Sequence, residues 1–321
     1  MKTPKIYIGI DVSKLSFDVA IESGSGHLHY KFENNEKGFK ALQRLFPKEH
    51  SLHLVMEASG TYYLALASYF YDQSISVSVV NPLIIHRFCQ MRMIKAKTDK
   101  KDAEMIARYG RAETPALWQP DPAYVLELRQ IEATLEGYIK TRRVMENQLE
   151  AFIHNTVMSR EAIKSLKRSI MYVAKEIASL EKRMEELVSA YNGTLLTNLI
   201  TIPGLGKKTA MVLIVATGAF KKFSDSKQLS AYFGLSPRIY ESGTSVRGRA
   251  RITRMGMSKV RALLYLCAWS AKKCNKACRE LYDRLVEKGK SKRLALIAVA
   301  NKLLRQAFAI ATKNTQYQSI P

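Results

Sequence analysis

Two series of apolar residues in the middle of the chain constrain its architecture more than any other feature. Leu128, Ile131, Leu135, Tyr138, Arg142, Met145, Leu149 and Phe152 follow one another at alternating steps of three and four, with Arg142 the one polar member. Ile163, Leu166, Ile170, Val173, Ile177, Leu180, Met184 and Leu187 repeat the pattern. Such steps keep side chains on one stripe of an α-helix and on neither face of a strand, so each series predicts a heptad helix of about four repeats. Residues 155–160 could turn the two into an antiparallel hairpin, or each helix could pair with another chain; the spacing leaves both open. A narrow apolar seam with no other core in the segment favours an assembly role.

On either side the patterning changes. Before the heptads, strand-like runs over 6–12, 16–22 and 29–33 are joined by short turns containing Gly24 and Gly26. A helical pattern over 36–46 follows, then an apolar strand over 52–58, a helix over 61–71 and a strand over 76–80 closed by Asn81-Pro82. Two further helices come next, the second beginning near Asp99. Three strands in series followed by alternating helices and strands predict a mixed sheet flanked by helices. After the heptads the chain reads as mostly helical, with amphipathic stretches over 258–272 and 294–312. The expected fold class is therefore multidomain α/β plus α, in three segments: 1–120, 121–192 and 193–321.

Charge sharpens that division. The 321 residues carry 51 Lys and Arg against 28 Asp and Glu, a net of +23. The first segment holds 16 basic and 12 acidic side chains, the second 11 of each, and the last 24 against five, a net of +19. An excess confined to one segment marks a surface for a polyanion, either nucleic acid or an acidic membrane. No basic amphipathic anchor accompanies it, so a membrane partner is not expected. Nor does any window read as a membrane span of about 18 apolar residues; the longest mostly apolar run is 211–220. Asp11 interrupts the apolar run that starts at Ile6, which argues against a signal peptide and for a cytoplasmic protein. The four cysteines, Cys89, Cys267, Cys274 and Cys278, include no C-x-x-C pair and indicate neither a zinc site nor a disulfide framework.

Four carboxylates recur in meaningful places. Asp11 closes the first strand and Glu57 the fourth, while Asp99 and Asp102 share a face at the start of a helix. Oxygen donors drawn from two strand ends and a following helix suit one or two Mg²⁺ ions, which can clamp both oxygens of a phosphoryl transfer. Each has a plainer role open to it, Asp99 and Asp102 as helix N-terminal charges and Asp11 as a strand-end residue. Glu57 is the hardest to dismiss, because a carboxylate after an apolar run is costly unless paired or coordinated. The ordered set resembles the RNase H-like, RuvC-type nuclease fold. An actin-like sugar kinase also opens with such a strand, but it needs a second phosphate loop and a longer chain.

The basic segment holds two further motifs. Residues 202–210, Ile-Pro-Gly-Leu-Gly-Lys-Lys-Thr-Ala, have the form of a helix-hairpin-helix turn, in which glycines admit a phosphate and a helix N-terminus offers amides. Lys207 and Lys208 are candidate contacts there. Residues 234–251 lack apolar periodicity and concentrate glycines, hydroxyls and arginines around Ser242. Arg238, Arg247, Arg249, Arg251 and the following Arg254 suit phosphate binding, and a hydroxyl among them is placed to attack phosphorus. A DNA-contacting loop with an uninvolved serine fits the spacing equally well.

With its contexts GIDVSK, MEASGTY, KTDKKDA, IPGLGKKTA and GLSPRIYESGTSVRG, the chain resembles, over nearly its whole length, the insertion-sequence one-hundred-ten family of DEDD transposases, relatives of the Piv DNA invertases. The resemblance implies a site-specific DNA recombinase in which Asp11, Glu57, Asp99 and Asp102 bind Mg²⁺ and Ser242 forms a covalent phosphoserine with a strand end. It also implies a composite active site shared between protomers, assembled as dimers into a tetramer. A structured noncoding RNA from the element would pair with donor and target DNA. Two other readings stay open: a junction nuclease that uses the carboxylates and water, and a non-catalytic nucleic-acid-binding protein.

Overall fold

A computed structural model describes residues 5–23, 26–46, 51–94, 98–238, 241–242, 246–247, 251–253 and 255–318. The chain divides into two compact units, Met1–Asp121 and Pro122–Pro321.

The first unit is built on a five-stranded sheet. Strands β1 (Lys5–Val12), β2 (Ser16–Ser23) and β3 (Gly26–Glu33) form an antiparallel meander. β4 (Ser51–Glu57) and β5 (Ser76–Val80) continue it in parallel on the other side of β1, in the order β3-β2-β1-β4-β5. Helices α1 (Glu36–Arg44) and α2 (Tyr63–Asp72) provide the crossovers on that side, and α3 (Pro82–Met91) and α4 (Asp99–Glu113) follow β5. Alternation along β1 separates two faces. Ile8, Ile10 and Val12 enter a core with Phe17, Val19, Phe39, Leu42, Leu66 and Phe70. The intervening residues Tyr7, Gly9 and Asp11 take the other face, where Val55 of β4 meets Ile106 of α4. The mixed sheet is the one the sequence predicts; β3 starts earlier, at Gly26, because its hairpin register with β2 runs to Ser23.

The second unit opens with the two long helices that the heptads require, α5 (Ala123–Ile153) and α6 (Arg160–Ile200), the latter kinked at Asn192. They pack against each other as a hairpin within the chain. Tyr124 stacks on Tyr191 with ring centroids 4.2 Å apart, and the Arg183 guanidinium donates to Glu127 at 2.8 Å. Leu128, Ile131, Leu135, Val173, Ile177, Met184 and Leu187 are buried in one core with the C-terminal helices. Toward the hairpin tip Met145, Leu149, Phe152, Ile163, Leu166 and Ile170 are only half-buried; among the described residues of this unit, the core that buries Leu135 and Val173 does not include them. Residues 121–192 thus share a core with the segment after them.

That core is completed by α7 (Lys207–Thr217), α8 (Ser226–Tyr232), α9 (Ser258–Cys274), α10 (Lys276–Glu287) and α11 (Lys292–Lys313). α11 corrects the sequence reading of apolar windows: by length and mean hydropathy, 1.5, it is long and apolar enough to cross a membrane. In sequence, Asn301, Lys302, Arg305 and Gln306 interrupt the apolar run. Half of its apolar window is buried inside this unit, where Leu296, Val299, Leu303, Leu304 and Ala307 face α9 and its neighbours.

Candidate functional site

The carboxylates are brought together by two backbone relationships. β1 and β4 run parallel with Ile10 opposite Met56, so the next residues, Asp11 and Glu57, lie side by side where the two strands end. Then α4 runs back over the sheet. A Cβ at Gly9 would fall 2.1 Å from the Ala103 carbonyl oxygen and 2.3 Å from the Ala107 nitrogen, and one at Gly110 would fall 2.6 Å from Val55 Cγ2. Only glycine permits this approach. With Gly110 over Tyr7 and Val55, and Ala103 over Gly9, the start of α4 reaches the end of β1 where Asp11 sits. Thr98 caps the helix by accepting from the Lys101 amide at 3.3 Å, fixing Asp99 and Asp102 in its first turn.

The electrostatics follow. Burial, then Asp102, Glu57 and Asp99 in that order, and lastly Asp18, push the Asp11 carboxyl from 3.8 up to about 6. The Cys89 thiol on α3 is also raised, by burial and then by Asp102 and Glu57, which keeps it protonated beside the carboxylates. Among the described residues, no three Asp, Glu, His or Cys side chains stand close enough to cage an ion as they are. The chemistry of the set nevertheless fits a hard divalent cation: the donors are oxygens, and a cation would offset the burial and the mutual repulsion that raise the Asp11 carboxyl.

Asp18 is the residue sequence reasoning missed. It stands directly opposite Asp11 in the β1–β2 register and is buried, held by His29 Nε2 at 2.9 Å and Lys31 Nζ at 3.4 Å. A signal was present, since a carboxylate between Phe17 and Val19 in a strand needs partners, but the partners come from β3 and only the hairpin register identifies them.

The second unit carries the other candidates. Gly204 has a φ of +92°, and a Cβ there would fall 2.6 Å from Cα and Cβ of Ala271 on α9. Internal packing therefore explains this glycine of the helix-hairpin-helix motif. Gly206, the N-cap of α7, has open space where a Cβ would project. Lys207 donates to Glu185 at 2.5 Å and Lys208 to Glu181, both glutamates on α6, so the two lysines already hold counter-charges. These pairs are half-exposed, of a kind that contributes about 0–1 kcal/mol.

Described residues of the glycine- and arginine-rich segment form four two-residue strands. β6 (Pro237–Arg238) pairs antiparallel with β9 (Arg251–Ile252), and between them β7 (Glu241–Ser242) pairs with β8 (Val246–Arg247), Ser242 opposite Val246. Backbone ladders need no apolar period, which is why the sequence pattern concealed them. For Ser242, Arg238, Arg247 and Arg251 the structure describes the backbone; Arg249 and Arg254 lie outside the described residues.

Comparison with known proteins adds the last finding. A family model for DEDD transposases of the IS110 type, described as "Transposase", matches residues 8–158, and one described as "Transposase IS116/IS110/IS902 family" matches residues 196–283. The pilin gene-inverting protein of Moraxella bovis is 32% identical over 323 residues, covering 98% of each chain. A transposase for insertion sequence element IS1111A from Coxiella burnetii is 24% identical, covering 83% of this chain and 79% of its own. The uncharacterized protein of insertion element IS110 from Streptomyces coelicolor is 31% identical over 157 residues, 49% of this chain and 38% of its own.

Proposed function

The chain belongs to the IS110 family of transposases, enzymes that act on DNA, and from that premise we propose that it cuts and rejoins DNA strands through Ser242. The relative whose name describes gene inversion, alignable end to end, supports a site-specific recombination of this kind. The single observation that carries the reading is the gathering of carboxylates: the β1–β4 register sets Asp11 beside Glu57 at the strand ends, Asp99 and Asp102 stand in the first turn of α4, and all three neighbours raise the Asp11 carboxyl after burial does. Carboxyls perturbed by burial and by like charges concentrate at functional sites. The strand arrangement, three antiparallel and two parallel with helices between, supports an RNase H-like first unit.

In this reading Asp11, Glu57, Asp99 and Asp102 hold Mg²⁺, which when bound supplies positive charge against the charge that builds at phosphorus. The Ser242 hydroxyl attacks a backbone phosphorus. Its Oγ–P bond forms as it loses its proton, and the P–O bond to the sugar breaks, the departing oxygen taking up a proton. Energy is conserved in the phosphoserine ester, so a hydroxyl from a second strand reverses the step and joins the new partner. Arg238, Arg247, Arg249, Arg251 and Arg254, with Lys207 and Lys208, neutralise DNA and guide-RNA phosphates. The carboxylates of one protomer serve Ser242 of another, and half-open hairpin seams such as Leu149 and Leu166 suit the dimer and tetramer that this requires.

A Ser242→Ala variant tests the reading. It should lose both the covalent protein–DNA adduct and strand joining. Retention of strand cleavage without an adduct would favour a junction nuclease that uses water, and unchanged joining would sink the serine mechanism altogether.

A further inference from the structure

We propose that Arg92, Arg108 and Arg111 form a phosphate-binding site for a nucleic-acid strand on the same unit as the carboxylates. The inference rests on the reading of the chain as an enzyme acting on nucleic acid. Among the described residues, the three arginines and Ala112 line one cavity of about 450 Å³. They lie up to 19 positions apart in sequence, so the cavity is a product of the fold.

Two helices build it. Arg92 caps α3, and its guanidinium lies over the Phe88 ring, 5.3 Å from the centroid. Phe88, itself buried, meets Tyr109 of α4 edge-on at 5.4 Å. Tyr109 sits between Arg108 and Arg111, which are three apart and share the exposed face of α4. The aromatic pair thus pins the end of α3 against α4 and brings the three cations to one opening. Guanidinium forks match phosphate oxygens two at a time.

Position specifies which phosphates. On α4, Arg108 and Arg111 stand about 9 and 13 Å along the helix from Asp102, at 1.5 Å per residue. That puts the arginines on the same helix as two of the carboxylates, toward its other end. The site would hold the flank of the strand being cut, or the backbone of an RNA paired with it. Both sources offer the same phosphodiester chemistry.

The test is the salt dependence of binding by the full chain, read by anisotropy with a labelled DNA duplex and separately with a labelled RNA duplex. Neutralising all three, R92Q/R108Q/R111Q, should flatten the slope of log affinity against log salt by nearly three on the DNA duplex. Between about 50 and 200 mM salt the affinity lost should then be about 40-fold smaller than for the unaltered chain. The matching triple lysine variant should keep most of the slope. A change seen on one duplex only names the strand bound there. Unchanged affinity and slope on both, with a native melting curve, would overturn the site while leaving the function reading intact. If the triple variant fails to fold, Arg108→Gln, an exposed position, must still lower the slope by about one, and an unchanged slope there overturns the proposal too. If the unaltered chain binds neither duplex, the function reading falls and takes this site with it.

Discussion

Gly9 lies directly under Ala103: a Cβ on the strand residue would fall 2.1 Å from the helix carbonyl. The same contact sets how far α4 advances over the sheet, and hence how close Asp99 and Asp102 come to Asp11. Gly9→Ala should lift α4 and lower stability by about 1–3 kcal/mol, the usual cost of overpacking. Chemical denaturation measures the loss. Carboxylate coupling should weaken with it, seen as an Asp11 carboxyl titrating closer to the ordinary range by NMR.

Asp11 opposes folding at neutral pH. Its folded pKa, about 6, exceeds the ordinary 3.8, so the folded state holds the proton more tightly. The resulting stabilisation is present below about pH 4 and is lost as pH rises through about 6. Asp11→Asn should therefore melt higher than the parent at pH 7.5, and the advantage should vanish near pH 4. A shift of about two units is an upper bound near 3 kcal/mol; the carboxyl is partly exposed, which brings the expected gain to about 1 kcal/mol. A gain that does not depend on pH would mean that packing, not charge, is responsible.

Mg²⁺ should raise the melting temperature of the unaltered protein, because a ligand that binds only the folded state stabilises it by mass action. At 100 times the dissociation constant the effect is about 2.7 kcal/mol. Asp11→Asn and Glu57→Gln should each blunt the response. An equal rise in both variants would place the ion elsewhere.

Along the hairpin the two halves of the heptad seam should respond differently. Leu135, 5% exposed and packed into the second unit's core, should cost about 2–4 kcal/mol when changed to alanine. Leu149, half-buried near the tip, should cost less than about 1.5 kcal/mol in the monomer and instead weaken self-association, read by light scattering. Equal costs at both sites with unchanged association would argue against an assembly role for the tip.

Lys207 and Lys208 should behave as surface cations. Changing Lys208 to alanine removes a half-exposed pair with Glu181, worth about 0–1 kcal/mol of stability. Affinity for DNA should fall measurably more than the melting temperature does, and the reverse outcome would assign the lysine to α6 alone.

The chain's local periodicities already encode its elements. A 3-4 spacing demands the helices α5 and α6, alternation demands β1 and β2, and four carboxylates at strand ends and a helix start are readable as an ordered set. These depend on a few neighbouring residues and on backbone geometry that every chain shares. Local pattern is silent on which elements meet. Whether the heptads pair within the chain was decided by the core they share with α7, α9 and α11. The motif spacing marks Gly204 as a close backbone approach, and only the fold shows that Ala271 packs there. Asp18 became a fifth carboxylate at the sheet end only through the hairpin register, and Arg92 met Arg108 and Arg111 only because Phe88 packs on Tyr109. Register and helix crossing are set by long-range packing, where the free energy depends on residues far apart in sequence, so these adjacencies belong to the tertiary structure alone.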